Sequence, residues 1–121
     1  MRPSRIVLIL AVAASSALAV SSCSDSPTSP SDVHTIVIRA NNGAFSFDPV
    51  NEVVRIGQSV AWRNEDSVTH ALVDDAGSGV LNTGNIPPGG TTSSFTYATE
   101  MTIPYHCSIH PTMKGLLSIN P

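Results

Sequence analysis

From Val33 onward, short β-branched and aromatic runs alternate with clusters of glycine, proline, asparagine and aspartate, and helical spacing of apolar residues is almost absent. The runs predict strands over His34 to Ala40, Glu52 to Ile56, Ser59 to Arg63, His70 to Val73, Thr92 to Tyr97, Ile103 to Cys107 and Gly115 to Ile119. Gly57-Gln58, between two of them, reads as a tight hairpin turn. Val60, Trp62 and Asn64 alternate as a half-buried strand does, and Trp62 reads as a core plug. The interval Asp74 to Gly90, which contains Pro87-Pro88-Gly89-Gly90, reads as loop with room for one short strand or turn. Several strands at regular spacing predict an all-β fold, a two-sheet Greek-key antiparallel β-sandwich.

The N-terminus follows another rule. Arg2 and Arg5 precede an apolar run from Ile6 to Ala14, and small residues follow through Ala19, Ser21 and Ser22. The run is too short for a membrane span, so residues 1–22 read as a secretion signal. Val20-Ser21-Ser22-Cys23 resembles a bacterial lipoprotein cleavage box, which implies a lipidated Cys23 at the start of the mature chain. Cleavage without lipidation, or a disulfide between Cys23 and Cys107, is the alternative. Several acyl chains would anchor firmly where one anchors only marginally. Residues 23–32, rich in serine and proline and poor in apolar side chains, would then be the lipidated end and a flexible tether. The folded domain is expected over 33–121.

Removing the signal from the 121 residues leaves about 100, enough for one modest core and not for two lobes. It also leaves only Arg39, Arg55, Arg63 and Lys114 against nine acidic residues, a balance that argues against nucleic acid as a partner. An exported chain, in the periplasm or at the cell surface, meets oxidising conditions, so an unpaired Cys107 needs a reason to stay unpaired. Metal ligation would supply one.

The stretch Tyr105-His106-Cys107-Ser108-Ile109-His110-Pro111-Thr112-Met113-Lys114-Gly115 carries the chemistry. Cysteine, histidine and methionine recur at intervals of three between two predicted strands, and Pro111 interrupts any helix this spacing would allow. A compact loop can aim all three side chains at one point. Thiolate and thioether are soft donors, and with two imidazoles they form the pattern of a trigonal His₂Cys copper centre with a weak axial methionine. Zinc more often takes further cysteines or a carboxylate. The second imidazole is expected from His70, at the start of a predicted strand behind the turn-like Asn64-Glu65-Asp66-Ser67. The metal set is therefore His70, Cys107, His110 and Met113. Strand alternation turns His106 away from it, and His34, beside the tether, is expected to be solvated.

Phe45-Ser46-Phe47-Asp48-Pro49, Val53 through Asn64, His70 and Cys107-His110-Met113-Lys114-Gly115 together resemble a cupredoxin of the plastocyanin, pseudoazurin and amicyanin group, over roughly Thr35 to Ile119. The loop spacing is most similar to that of amicyanin. The resemblance implies an eight-stranded or similar Greek-key sandwich with one type 1 copper ion at its end, shuttling single electrons. Many relatives carry a hydroxyl or amide residue directly after the first histidine ligand, tying the two ligand loops together; here that position is Ala71.

On this reading the chain is a monomeric electron carrier and not an enzyme, since no hydrolytic base, nucleophile triad or phosphate loop accompanies the site. His110 is expected nearest the surface, ringed by Ile109, Pro111, Ile86 and Pro87, where a redox partner protein would dock. Asp74, Asp75 and Glu65 are candidates to steer a basic partner. The competing function is copper storage or delivery with the same soft ligands, for which Met101 beside Met113 would argue; a third is a ligand-free sandwich used in adhesion. A multicopper oxidase would need histidines on both sides of the cysteine, where this chain has Ser108 and only four histidines in all.

Overall fold

The computed structural model describes residues 32–41 and 44–121; the expected signal at 1–22, Cys23 and the tether up to residue 31 lie outside them. Nine strands form among the described residues: β1 (Val33–Asn41), β2 (Ala44–Asp48), β3 (Asn51–Arg55), β4 (Ser59–Asn64), β5 (His70–Asp74), β6 (Asn82–Ile86), β7 (Phe95–Thr96), β8 (Met101–Cys107) and β9 (Lys114–Asn120). They build a four-stranded sheet in the order β2, β1, β4, β7 and a five-stranded sheet in the order β3, β9, β8, β5, β6.

The sandwich is as the strand pattern predicts, but its sheets are mixed. β1 pairs with β4 in parallel, and β3 pairs with β9 in parallel. Both parallel pairs join strands separated along the chain by an excursion through the opposite sheet, which is what parallel pairing requires. The Gly57-Gln58 hairpin is corrected for the same reason. The turn is tight, with Gly57 at φ +86° and the Gln58 N–H donating to the Arg55 carbonyl at 3.0 Å. Its strands nevertheless part into different sheets, β3 onto β9 and β4 onto β1, so the turn is a corner between layers.

Two strands lie outside the predicted set, although one of them, β6, falls in the Asp74–Gly90 interval that had room for a short strand or turn. β6, Asn-Thr-Gly-Asn-Ile, is polar and mostly exposed because it lies at a sheet edge, and β2 is a short edge strand on β1. The expected Thr92–Tyr97 strand shrinks to two residues, since only Thr96 and Phe95 pair, with Ser59 and Val60.

Between the sheets the alternating residues interdigitate. Ile36 and Ile38 of β1, Val60 and Trp62 of β4, and Ile103, Tyr105, Leu117 and Ile119 of β8 and β9 are all buried. Trp62 is the plug expected of it: fully buried, edge-on to both Phe95 and Tyr105, with its indole N–H donating to the Tyr105 hydroxyl at 3.1 Å. That bond satisfies two polar atoms that would otherwise be stranded in the core. Burial pushes the Tyr105 phenol far above its usual range, so it stays a neutral hydroxyl.

Gly115, at the head of β9, sits directly against Tyr105. A Cβ there would stand 2.5 Å from Tyr105 Cζ, and the fully buried ring has no space to yield. Asp74, at the end of β5, is buried as well and organises the loop beyond it. Its carboxylate accepts from the Ser78 N–H at 2.7 Å, the Ser78 hydroxyl at 2.8 Å and the Gly79 N–H at 3.0 Å. Burial pushes its pKa up, but these donors outweigh it and hold the carboxyl below the ordinary aspartate value of 3.8.

Two outcomes follow. Gly115→Ala lowers stability by about 1–3 kcal/mol through overpacking, read from urea unfolding. Because the folded-state pKa of Asp74 is depressed, its contribution is complete above the ordinary aspartate value and is lost as pH falls through the folded one. The urea midpoint of Asp74→Ala therefore lies below that of the unsubstituted protein at neutral pH, and the gap narrows on acidification through that window.

Candidate metal centre

β5 and β8 run antiparallel with Leu72 opposite Cys107, so the first residue of β5 and the last of β8 meet at one end of the five-stranded sheet. Those residues are His70 and Cys107. Alternation along β5 turns His70, Leu72 and Asp74 inward, and alternation along β8 does the same for Ile103, Tyr105 and Cys107. Both side chains are fully buried. The loop between β8 and β9 then brings His110 over them, half-buried.

Cys107 Sγ lies 3.7 Å from His70 Nδ1 and 3.7 Å from His110 Nδ1, and the two imidazole nitrogens are 3.3 Å apart. This triangle tests whether an ion fits. Bonds of about 2.0 Å to nitrogen and about 2.3 Å to sulfur, at 120° in a plane, require edges of about 3.5 Å between nitrogens and about 3.7 Å from nitrogen to sulfur. A tetrahedral centre would shorten the sulfur edges to about 3.5 Å. The sulfur edges match the planar case, while the 3.3 Å nitrogen edge matches the tetrahedral one, also about 3.3 Å, so the triangle fits a single ion between the two geometries; one thiolate with two imidazoles is the donor set of type 1 copper. Among the described residues Cys107 is a free cysteine.

Met113 is buried, and both it and Cys107 belong to the hydrophobic core cluster. Its backbone closes the loop: the Met113 N–H donates to the His110 carbonyl at 2.9 Å, and the Cys107 N–H donates to the Met113 carbonyl at 3.0 Å. Cys23 lies outside the described residues.

The tie between ligand loops that Ala71 was expected to lack is made another way. The Ala71 N–H points at Cys107 Sγ, 3.5 Å away, and its carbonyl accepts from the Ser108 N–H at 2.8 Å and the Ser108 hydroxyl at 3.2 Å. The side chain for the tie comes from the residue after the cysteine, bonding to backbone after the histidine.

Sequence reasoning missed two residues, Asn64 and Asp66. Asp66 Oδ2 lies 3.0 Å from His70 Nε2, and the two side chains are 4% and 0% exposed. Asn64, fully buried at the end of β4, donates to the carbonyls of Val68 at 2.8 Å and Ile86 at 2.9 Å, and its Oδ1 accepts from the Asp66 N–H at 2.9 Å. The only signal in the sequence was an aspartate four residues before the histidine, inside what reads as a solvent turn.

The other histidines lie elsewhere. His106 is half-buried on the opposite strand face and its Nδ1 contacts the Asp75 carboxylate. His34 is not simply solvated: its Nδ1 is 2.7 Å from Glu52 Oε1, across from β1 to β3. The expected surface also changes. Asp74 is buried and cannot steer a partner, Asp75 is engaged by His106, and Glu65 is held by Arg63 and Arg39. Ile86 is buried as well, leaving Ile109, Pro111 and Pro87 exposed.

No family profile and no curated protein matches the chain. Solved structures do. A purple cupredoxin from Nitrosopumilus maritimus superposes with a TM-score of 0.63 at 28% identity, covering 72% of this chain and 99% of that one. A reduced amicyanin variant gives 0.63 at 20% identity, covering 74% of this chain and 84% of its own. A copper-containing nitrite reductase from Thermus scotoductus gives 0.62 at 24% identity over 73% of this chain, but over only 22% of the reductase. The fold is therefore that of the cupredoxins: all-β, two mixed sheets, and no helix among the described residues.

Asn64→Ala strands the buried Ile86 carbonyl and removes the bond to the Val68 carbonyl, and thermal unfolding of the metal-free protein should register a loss of about 1–3 kcal/mol.

Proposed function

We propose that this chain is a one-electron carrier in which His70, Cys107, His110 and Met113 would hold a single copper ion. The observation that carries the reading is the convergence of one cysteine sulfur and two imidazole nitrogens, at spacings that one ion would bridge, at the end of a cupredoxin fold. Bound there, copper would supply a one-electron Cu(II)/Cu(I) couple.

The protein's contribution is to hold the donors still. His70 and Cys107 project from the ends of paired strands, and the loop to Met113 is cross-braced by its own backbone bonds. Ligands fixed in this way need little movement when the charge of the ion changes. His110 is the half-exposed member of the triangle and offers the shortest way out for an electron. Ile109, 48% exposed, and Pro111 flank it, an apolar rim suited to brief contact with a partner protein.

Full burial of His70 and Cys107 favours retention of the ion over storage and delivery, which call for accessible ligands. The chain spans about a fifth of the length of the nitrite reductase it resembles, and the carrier reading rests on the one His-Cys-His group gathered among the described residues. In the proposed setting the chain is exported, lipidated at Cys23 and held at a membrane surface by residues 23–32, with the domain acting as a monomer and nucleic acid playing no part.

Adding Cu(II) to the purified protein should produce an intense visible thiolate-to-copper absorption that bleaches on reduction and returns on oxidation. Copper at 100 times its Kd should also stabilise the fold by about 2.7 kcal/mol in thermal unfolding. Cys107→Ser removes the colour and His106→Ala keeps it. A colourless protein that binds only Cu(I) would sink the carrier reading, and equal loss from both variants would mean that the wrong histidine was chosen. Mass measurement of the membrane-bound form tests Cys23.

A further inference from the structure

We propose that Asp66 is a positioning residue that fixes the proton of His70 and, through its negative charge, biases the site toward oxidised copper. This rests on the copper reading above and adds to it what sets the balance between the two oxidation states.

A carboxylate as deeply buried as Asp66 is costly unless its oxygens are engaged. Here they are: Oδ1 accepts from the Ser67 N–H at 2.6 Å, and Oδ2 lies 3.0 Å from His70 Nε2. The group is also placed from behind. The Asp66 N–H is held by Asn64 Oδ1, and Asn64 Nδ2 is anchored to Val68 on the same loop and to Ile86 on β6. Since Ile86 is the register partner of His70, the frame that aims the carboxylate is fastened to the strand beside the imidazole it meets.

Two effects follow from this geometry. An ionised carboxylate only accepts, so the ring proton of His70 stays on Nε2. Nδ1, which faces Cys107 Sγ and His110 Nδ1, is left as a lone pair. A backbone carbonyl at the same place would achieve that much. The carboxylate places a negative charge behind the ring, 3.0 Å from Nε2, which favours the ion of higher charge. A neutral acceptor would fix the ring without that bias.

The test uses the copper-loaded full chain and Asp66→Asn, which keeps an oxygen acceptor and removes the charge. Affinity for Cu(II) should fall about tenfold relative to Cu(I), the lower end of the range for outer-shell partners. For a one-electron couple that raises the reduction potential by about 59 mV, with the visible absorption retained. A merely structural role for Asp66 would lower the unfolding temperature and leave the potential of the coloured variant where it was, and that result overturns the proposal.

Nitrogen-15 NMR of the metal-free, unsubstituted protein supplies an arm that needs neither copper nor a folded variant. The His70 proton should reside on Nε2, and finding it on Nδ1 overturns the assignment. If the unsubstituted protein takes up no coloured copper, the carrier reading fails instead, and the proton position still decides the role of Asp66.

Discussion

The register of β5 against β8 is the constraint on which the rest depends. With Leu72 opposite Cys107, the strand that begins at His70 and the strand that ends at Cys107 finish at the same edge, and both side chains face inward. A slip of one residue in either strand would turn its ligand to the other face and bring an ordinary residue into its place. Every feature around the site protects that alignment. The backbone of Ala71 reaches across to Cys107 and Ser108, Gly115 allows β9 to close onto Tyr105, and Trp62 locks that ring from the opposite sheet.

What was legible in the sequence was local. Cys107, His110 and Met113 are close along the chain, so their spacing could be read without knowing the fold, and His70 followed from the need for a second imidazole. The core strands were legible because burial on one face leaves alternation in the residues. What escaped depends on contacts between distant segments. No local signal distinguishes a hairpin at Gly57-Gln58 from a corner between sheets, since the turn is equally tight in both. The polar edge strand β6 carries no alternation, and Asn64, Asp66 and Asp74 look like the residues of solvent turns until the fold closes over them.

Those buried polar residues share a pattern. Asp74 gathers the loop after β5, Asn64 gathers the loop before it, and Asp66 stands between that loop and His70. Among the described residues no buried side-chain nitrogen or oxygen lacks a hydrogen-bond partner. The strand that presents His70 is thus bracketed by two polar frames while its own face packs on the apolar core. Hydrophobic packing sets where the sheet lies, and the frames set how its end is oriented.

The parallel pairing of β3 with β9 has a consequence for how the fold is reached. Val54 and Ile119 are register partners, and β9 is an interior strand of its sheet, flanked by β3 and β8, although it comes last in the order of strands. A nascent chain that has produced β1 through β8 therefore holds a sheet with a gap where the keystone belongs, and β3 has no neighbour in it. Closing that gap joins segments far apart in sequence, a slow event compared with local pairing. Among the described residues the five-stranded sheet is complete only when β9 lies between β3 and β8, so the edge strand β3 is held in place by a segment more than sixty residues further along the chain.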